Sequence, residues 1–189
     1  MAQVKGTLLM ETVRMMRANK GRNFNQYLQE KDLEVISKRI LPSNWYPLDT
    51  YERATFAIFK EVAGGKLEVA QAWGKFVGED LIKRFYANLT RETDMMVVLE
   101  KFKLIRLQWF KFENPGLNPI EVAAIDKNSA KIILRTDHPA PFEPYTHQTL
   151  GTFQRLIELC GKQEVKGTIG AHNWDGNAPF AEITFTWKD

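Results

Sequence analysis

Three histidines and one cysteine are the residues of this chain with the most obvious capacity for chemistry. His138, His147 and His172 form no HExxH segment and no close His/Cys pair, so the sequence predicts no metal site. Cys160 ends an apolar run, which favours burial over nucleophilic reactivity. A small hydrolase or transferase that uses Cys160 and His147 stays open as an alternative. No residue is predicted to be catalytic.

Arg106 is the one charged residue that projects into the apolar stripe of a predicted helix, between Phe102, Trp109 and Phe110. A buried guanidinium needs an acidic partner or an anionic ligand, because an unpaired buried charge costs several kcal/mol. Alternatively, its aliphatic stem lies on the core while its head reaches water or a core carboxylate. Both interpretations stay open.

The segment Trp45-Tyr46-Pro47 is either the lining of an aromatic cleft or a packed corner of the core. If a ligand pocket exists, we expect Trp45, Tyr46, Arg106 and Trp109 to line it. Such a pocket would take a hydrophobic or acidic small molecule, with Arg106 meeting the acidic group.

Composition excludes several classes of protein. The 26 basic and 23 acidic residues of the 189 give a net charge of +3, too small to indicate a nucleic-acid-binding protein. A single cysteine excludes a disulfide framework. There is no run of 18 apolar residues and no uninterrupted signal-peptide core, so we expect no membrane insertion and a cytoplasmic location.

Hydrophobic periodicity predicts the elements that position these side chains. Helices are expected at about 7–18, 25–40, 50–63, 67–89, 92–112 and 146–160, with Thr93 as a plausible N-cap. After Pro115 the period changes to two, and strands are expected at 121–126, 131–135, 163–171 and 180–187. The predicted fold is α+β, a single domain over 1–189. A helical part (about 1–114) packs on a small antiparallel sheet in a β-β-α-β-β part (about 115–189).

Several landmarks occur in an order that resembles a family of uncharacterised bacterial proteins of similar length, known mostly from myxobacteria. They are Leu41–Pro47, Gly64-Gly65, the region around Gly74, the Trp109 helix and the last strand up to Trp187. That family is distantly similar to the haem-NO-binding-like and 4-vinyl-reductase-like domains and, in its core, to trafficking subunits of the TRAPP type. The resemblance implies a non-catalytic regulatory domain for small-molecule sensing or protein–protein interaction in signalling or cell organisation, often dimeric.

The sequence departs from these relatives where haem would bind. Haem-NO sensors share a proximal His and a Tyr-x-Ser-x-Arg motif, and the nearest segment here, Tyr145–Thr149, lacks both the Ser and the Arg. We therefore predict no cofactor, and the haem-dependent gas sensor is kept as an alternative.

The fifth predicted helix carries apolar residues beyond one face, and two explanations of how these residues are covered remain open. Either the other elements of the monomer cover them, or a two-fold homodimer does. The best candidates for a dimer face are Leu8, Leu9, Met15 and Met16 on the first helix.

Overall fold

The computed structural model describes residues 1–137, 141–175 and 178–189. Six α-helices are α1 (Gly6–Ala18), α2 (Glu30–Ser37), α3 (Leu48–Glu61), α4 (Leu67–Phe85), α5 (Met95–Leu107) and α6 (Phe142–Leu159). Seven strands are β1 (Gln3–Lys5), β2 (Trp45–Pro47), β3 (Phe110–Lys111), β4 (Ile120–Asp126), β5 (Ser129–Arg135), β6 (Gln163–Asn173) and β7 (Phe180–Lys188). Parts of two predicted loops, at His138 and at Gly176-Asn177, lie outside the described residues.

Contacts divide the chain into two compact units. The first unit contains residues 1–67 and 108–115, and the second contains 68–107 and 116–189. The α+β class is confirmed. The assignment of all residues to a single domain stays a prediction.

The first unit is built around a small sheet of order β2-β1-β3, antiparallel throughout. Val4 in the central strand pairs with Tyr46 on one side and Phe110 on the other, and it is fully buried. Helices α1 and α3 supply the rest of this core with small and aliphatic residues such as Leu9, Ala57 and Ile58.

This sheet corrects a sequence-based expectation. The predicted helix over 92–112 ends at Leu107, and Phe110 and Lys111 are strand residues. The segment Trp45–Pro47, which lies between the predicted second and third helices, is the strand β2. The physical reason is long-range pairing with β1, because strands of two or three residues form only where a distant partner provides hydrogen bonds.

Helix α2 is tied to α3 through a buried carboxylate. Asp32 is fully buried, and Arg53 donates to both its oxygens, from Nε at 2.6 Å and from Nη2 at 2.8 Å. Thr50 Oγ1 donates at 2.7 Å and the Gln29 backbone N–H at 2.8 Å. The carboxylate is therefore fully satisfied, as a buried charge must be.

In the second unit, the β-β-α-β-β prediction is confirmed as an antiparallel sheet of order β4-β5-β7-β6. Alternate residues of the central strands β5 and β7 are buried, which is the period-two pattern of a sheet covered on one face. Ile132, Leu134, Ile183 and Phe185 form the centre of that covered face.

Helices α4 and α6 approach so closely that only glycine fits at the contact. A Cβ at Gly74 would lie 1.9 Å from the carbonyl oxygen of Gln148, and one at Gly151 would lie 2.0 Å from that of Gln71. The hydroxyl of Thr152 lies 3.0 Å from the Gly74 carbonyl oxygen, to which it donates. The two backbones are thus in direct contact.

Helix ends are set by local chemistry. The backbones of Gly64, Gly65 and Gly161 have positive φ, the conformation that glycine commonly adopts just after a helix, and these residues follow α3 and α6. The N-terminus of α5 differs from expectation. Asp94, rather than Thr93, caps it by accepting hydrogen bonds from the backbone N–H groups of Met96 and Val97.

The candidate dimer face on α1 is wrong for three of its four residues. Leu8, Leu9 and Met16 are buried within the monomer, so they are not available to a second copy. Homodimerisation itself stays a prediction. Among the described residues, no helix combines the length and apolar character that a membrane crossing requires.

Candidate functional site

The outer face of the three-stranded sheet carries an aromatic side chain with two cations close to its ring. Lys5 of β1 pairs directly with Trp45 of β2, and Gln3 pairs with Lys111 of β3, so these side chains share one face of the sheet. Val4 and Phe110 lie on the opposite face, where the Phe110 ring contacts Tyr51 of α3. The ammonium nitrogens of Lys5 and Lys111 lie 4.3 and 4.2 Å from the Trp45 ring centroid. Both are within cation–π range.

Tyr46 has a structural role in the same strand. Its hydroxyl accepts a hydrogen bond from the Leu41 backbone N–H at 2.9 Å. The ring also passes close to Gly6, where a Cβ would lie 2.9 Å from Tyr46 Cε2 and 2.0 Å from the Leu41 carbonyl oxygen. Tyr46 therefore fixes the turn before β2 against the start of α1, and thereby the position of Trp45.

Trp109 belongs to the same unit as Trp45 and Tyr46, and its side chain is buried. Its carbonyl oxygen accepts a hydrogen bond from the Lys5 backbone N–H at 2.8 Å. Three of the four predicted lining residues are thus connected through β1. The pocket that all four were expected to line stays a prediction.

Arg106 is buried and belongs to the second unit. Its Nη2 donates to the hydroxyl of Tyr145 at 2.8 Å and to Oγ1 of Thr149 at 3.2 Å. The guanidinium carbon lies 5.6 Å from the Phe153 ring centroid. The Arg106 guanidinium therefore contacts hydroxyl groups and an aromatic ring of α6. The sequence interpretation does not name these partners.

Aromatic rings fill the space between α5 and the sheet of the second unit. Phe102 and Phe153 make an edge-to-face contact with centroids 5.1 Å apart, and Phe153 in turn contacts Phe185 at 6.1 Å. All three side chains are fully buried. The three rings therefore form one continuous aromatic cluster in the core of the second unit.

The histidines are dispersed. The half-buried His147 lies on α6, and its Nδ1 is buried without a hydrogen-bond partner among the described residues. Burial lowers the pKa of His147 below its usual range, although the nearby Glu143 and Glu68 oppose this shift. His172 is exposed on β6, and its ring stacks on that of Trp174 with the ring centroids 4.3 Å apart. No group of three or more His, Cys, Asp or Glu side chains suited to a metal ion occurs in the part of the chain that the structure describes.

Cys160 follows the last residue of α6, whereas His147 lies near its beginning. Thirteen residues of helix separate the two by about 20 Å, so the fold does not bring them together for catalysis. The Cys160 sulfur lies 3.8 Å from the Leu89 carbonyl oxygen. Burial raises the pKa of the Cys160 thiol to about 11, although Lys162 acts in the opposite direction.

We expect Cys160 in the folded protein to be inert to iodoacetamide at pH 7.5. With its pKa at about 11, fewer than about one thiol in a thousand is ionised at that pH, and only the thiolate reacts. Mass spectrometry before and after unfolding in urea measures this. Alkylation of the native protein as fast as that of the unfolded chain would contradict it.

The sequence does not single out Lys5 and Lys111. Lys111 falls inside the predicted helix over 92–112, so the sequence gives no reason to place it beside β1. The strand that contains Lys5 is only three residues long, which is too short to recognise by its pattern. A usable signal is the alternation of polar and apolar residues in Gln3-Val4-Lys5.

No protein-family model matches this chain, and no curated protein matches it either. Solved structures do. An Fe(II) unliganded H-NOX mutant from K. algicida superposes with a TM-score of 0.67 at 12% identity, over 98% of this chain and 97% of that one.

Two further structures agree with this match. An oxygen-binding H-NOX domain related to soluble guanylate cyclases, in its oxygen complex, gives a TM-score of 0.64 at 14% identity over 98% and 95% of the two chains. A Cs H-NOX mutant that carries an unnatural amino acid gives 0.59 at 16% identity over 98% and 97%. The expected haem-NO-binding-like fold is thereby confirmed, while the likeness to a myxobacterial family and to 4-vinyl-reductase-like domains stays a prediction. The chain has the fold of the H-NOX domains.

Proposed function

We propose that this chain is a non-catalytic regulatory domain that uses the H-NOX-like fold without haem. The observation that carries this proposal is the packing inside the second unit. There, Phe102 of α5, Phe153 of α6 and Phe185 of β7 are in consecutive ring contact. A fold associated with sensing is retained, while aromatic side chains occupy its interior.

The donor set of the described residues does not fit haem. Helix α5 contains no histidine, and the Tyr-x-Ser-x-Arg motif is absent. His147 offers a buried nitrogen, but Glu68 and Glu143 are the charges that act on it. Carboxylates cannot hold the two propionates of a haem, because like charges repel each other. Arg106 is held by Tyr145 and Thr149.

The domain is proposed to act in signalling or cell organisation in the bacterial cytoplasm, by recognising a small molecule or a partner protein. The distance between Cys160 and His147, together with the raised thiol pKa, supports a non-catalytic role. A regulatory domain needs a binding surface on a stable scaffold. Each of the two units contains an antiparallel sheet that can serve as such a scaffold.

Haem-dependent gas sensing is the second candidate, and the structural neighbours favour it because they include an oxygen complex and an Fe(II) form. The two functions make opposite predictions for the purified protein.

We expect the protein, produced with added haem precursor, to carry no stoichiometric haem. The measurement is the ratio of Soret absorbance to protein, followed by haemin titration with the unfolding midpoint as a second readout. An H-NOX domain produced in parallel is the positive control. A saturated Soret band that is lost on His147→Ala substitution would establish the haem sensor instead.

A further inference from the structure

The outer face of the first unit's sheet brings two ammonium groups to one indole ring. Both Lys5 Nζ and Lys111 Nζ lie less than 4.5 Å from the Trp45 ring centroid. Two like charges held against one ring repel each other, and they do so more strongly beside an apolar ring than in bulk water. Cation–π attraction to the indole offsets part of that repulsion.

No carboxylate neutralises this pair. Among the described residues, neither Lys5 nor Lys111 has an acidic side chain within 4.0 Å, in contrast to Lys31 with Asp49 at 2.7 Å. The neighbouring Glu113 lies 3.8 Å from the N-terminal ammonium of Met1. The surface around Trp45 is therefore positively charged.

The arrangement is held in place by backbone pairing. Lys5 is in register with Trp45, and Gln3 is in register with Lys111, so the three side chains come from adjacent strands. Lys5 is also the residue that precedes α1, whose first turn contains no acidic residue. The positive end of that helix dipole adds to the potential of the two lysines.

We propose that Lys5, Lys111 and Trp45 form a binding site for a phosphoryl dianion, free or carried by a small phosphomonoester. A compact dianion that contacts both ammonium groups offsets their mutual repulsion and accepts charge-assisted hydrogen bonds from both. The half-buried indole provides an apolar wall beside the anion. This inference goes beyond the proposed function, and it holds whether or not the fold binds haem.

The test follows the indole N–H resonance of Trp45 in the full-length protein by ¹H–¹⁵N NMR at constant ionic strength. The resonance is assigned by its loss in Trp45→Phe. Inorganic phosphate, pyrophosphate and glycerol phosphate are the three probes. We expect a saturable shift, and a dissociation constant about tenfold higher in Lys5→Gln and in Lys111→Gln, since each removes one charge-assisted contact.

Lys60→Gln is the matched control, because the exposed Lys60 ammonium also lies over an aromatic ring, 5.2 Å from the Phe56 centroid, where it is the single cation among the described residues. We expect it to bind the probes as the unmodified protein does. Tighter binding of glycerol phosphate than of inorganic phosphate would identify a phosphomonoester as the source, and the reverse order would identify the free anion. A shift that does not saturate, or equal weakening in Lys60→Gln, would overturn the proposal.

Discussion

Replacing Asp32 by Ala is expected to lower the free energy of unfolding by about 3–5 kcal/mol. The substitution removes a carboxylate that accepts hydrogen bonds from Arg53, Thr50 and the Gln29 backbone. It also leaves Asp49, at 2.8 Å, as the carboxylate that still pairs with the Arg53 guanidinium. Urea denaturation followed by circular dichroism measures the loss.

Glu34→Ala is the control for that experiment, because Glu34 is an exposed acidic residue of the same helix. We expect its effect to stay within about 0.5 kcal/mol. If the two variants had equal stability, the buried ion pair would not contribute to the fold as argued.

The same cluster predicts a pH dependence. Burial acts to raise the pKa of Asp49, but hydrogen bonds from Lys31 and Arg53 outweigh it and hold the pKa at about 2. The pKa of Asp32 is also lowered, by its hydrogen bonds with Arg53, Gln29 and Thr50, against the effect of burial. Because both are lowered in the folded state, their stabilisation is present above about pH 4 and is lost as the pH falls towards 2. The unfolding free energy of Asp32→Ala should fall less over this range than that of the unmodified protein.

Gly74→Ala is the second substitution with a large expected effect, a loss of about 3 kcal/mol in unfolding free energy. Alanine favours a helix over glycine by about 1 kcal/mol, so propensity alone predicts the opposite sign. Packing outweighs it, because the new Cβ would lie 1.9 Å from the Gln148 carbonyl oxygen and no side-chain rotation can relieve a backbone contact. Helices α4 and α6 would have to separate by more than about 1 Å.

Gly21→Ala tests whether the cause is packing or the loss of a glycine. A Cβ at Gly21 meets no atom within 4 Å, and its φ is not positive. We expect no loss of stability there. A Gly74→Ala protein as stable as Gly21→Ala, by thermal or urea unfolding, would show that the two helices can separate without penalty.

The sequence predicts best those elements whose partners lie nearby in the chain. The hairpins β4–β5 and β6–β7 are local, and their alternation and turns are sufficient to place them. The sheet β2-β1-β3 escapes prediction because its strands are two or three residues long and pair over long distances. Tertiary pairing overrides the helical pattern at Phe110 and Lys111.

For the candidate site, residue type is a better guide than position. Trp45 and Arg106 stand out because an aromatic pair before a proline and a cation in an apolar stripe are each unusual. The neighbours that give Trp45 its charge, Lys5 and Lys111, cannot be identified without the register of β1. The hydroxyl partners of Arg106 are likewise unpredictable, because Tyr145 and Thr149 lie on a helix about 40 residues away.

The central position of β1 determines when the first unit can be completed during synthesis. Val4 pairs with Phe110, so the sheet lacks its third strand until the ribosome has passed Lys111. At about 5–20 residues per second, this delay is roughly 5 to 20 seconds. During that time one edge of β1 has no partner strand, and an open edge can pair with other nascent chains. The strand β1 therefore has an edge that needs protection during translation until β3 pairs with it.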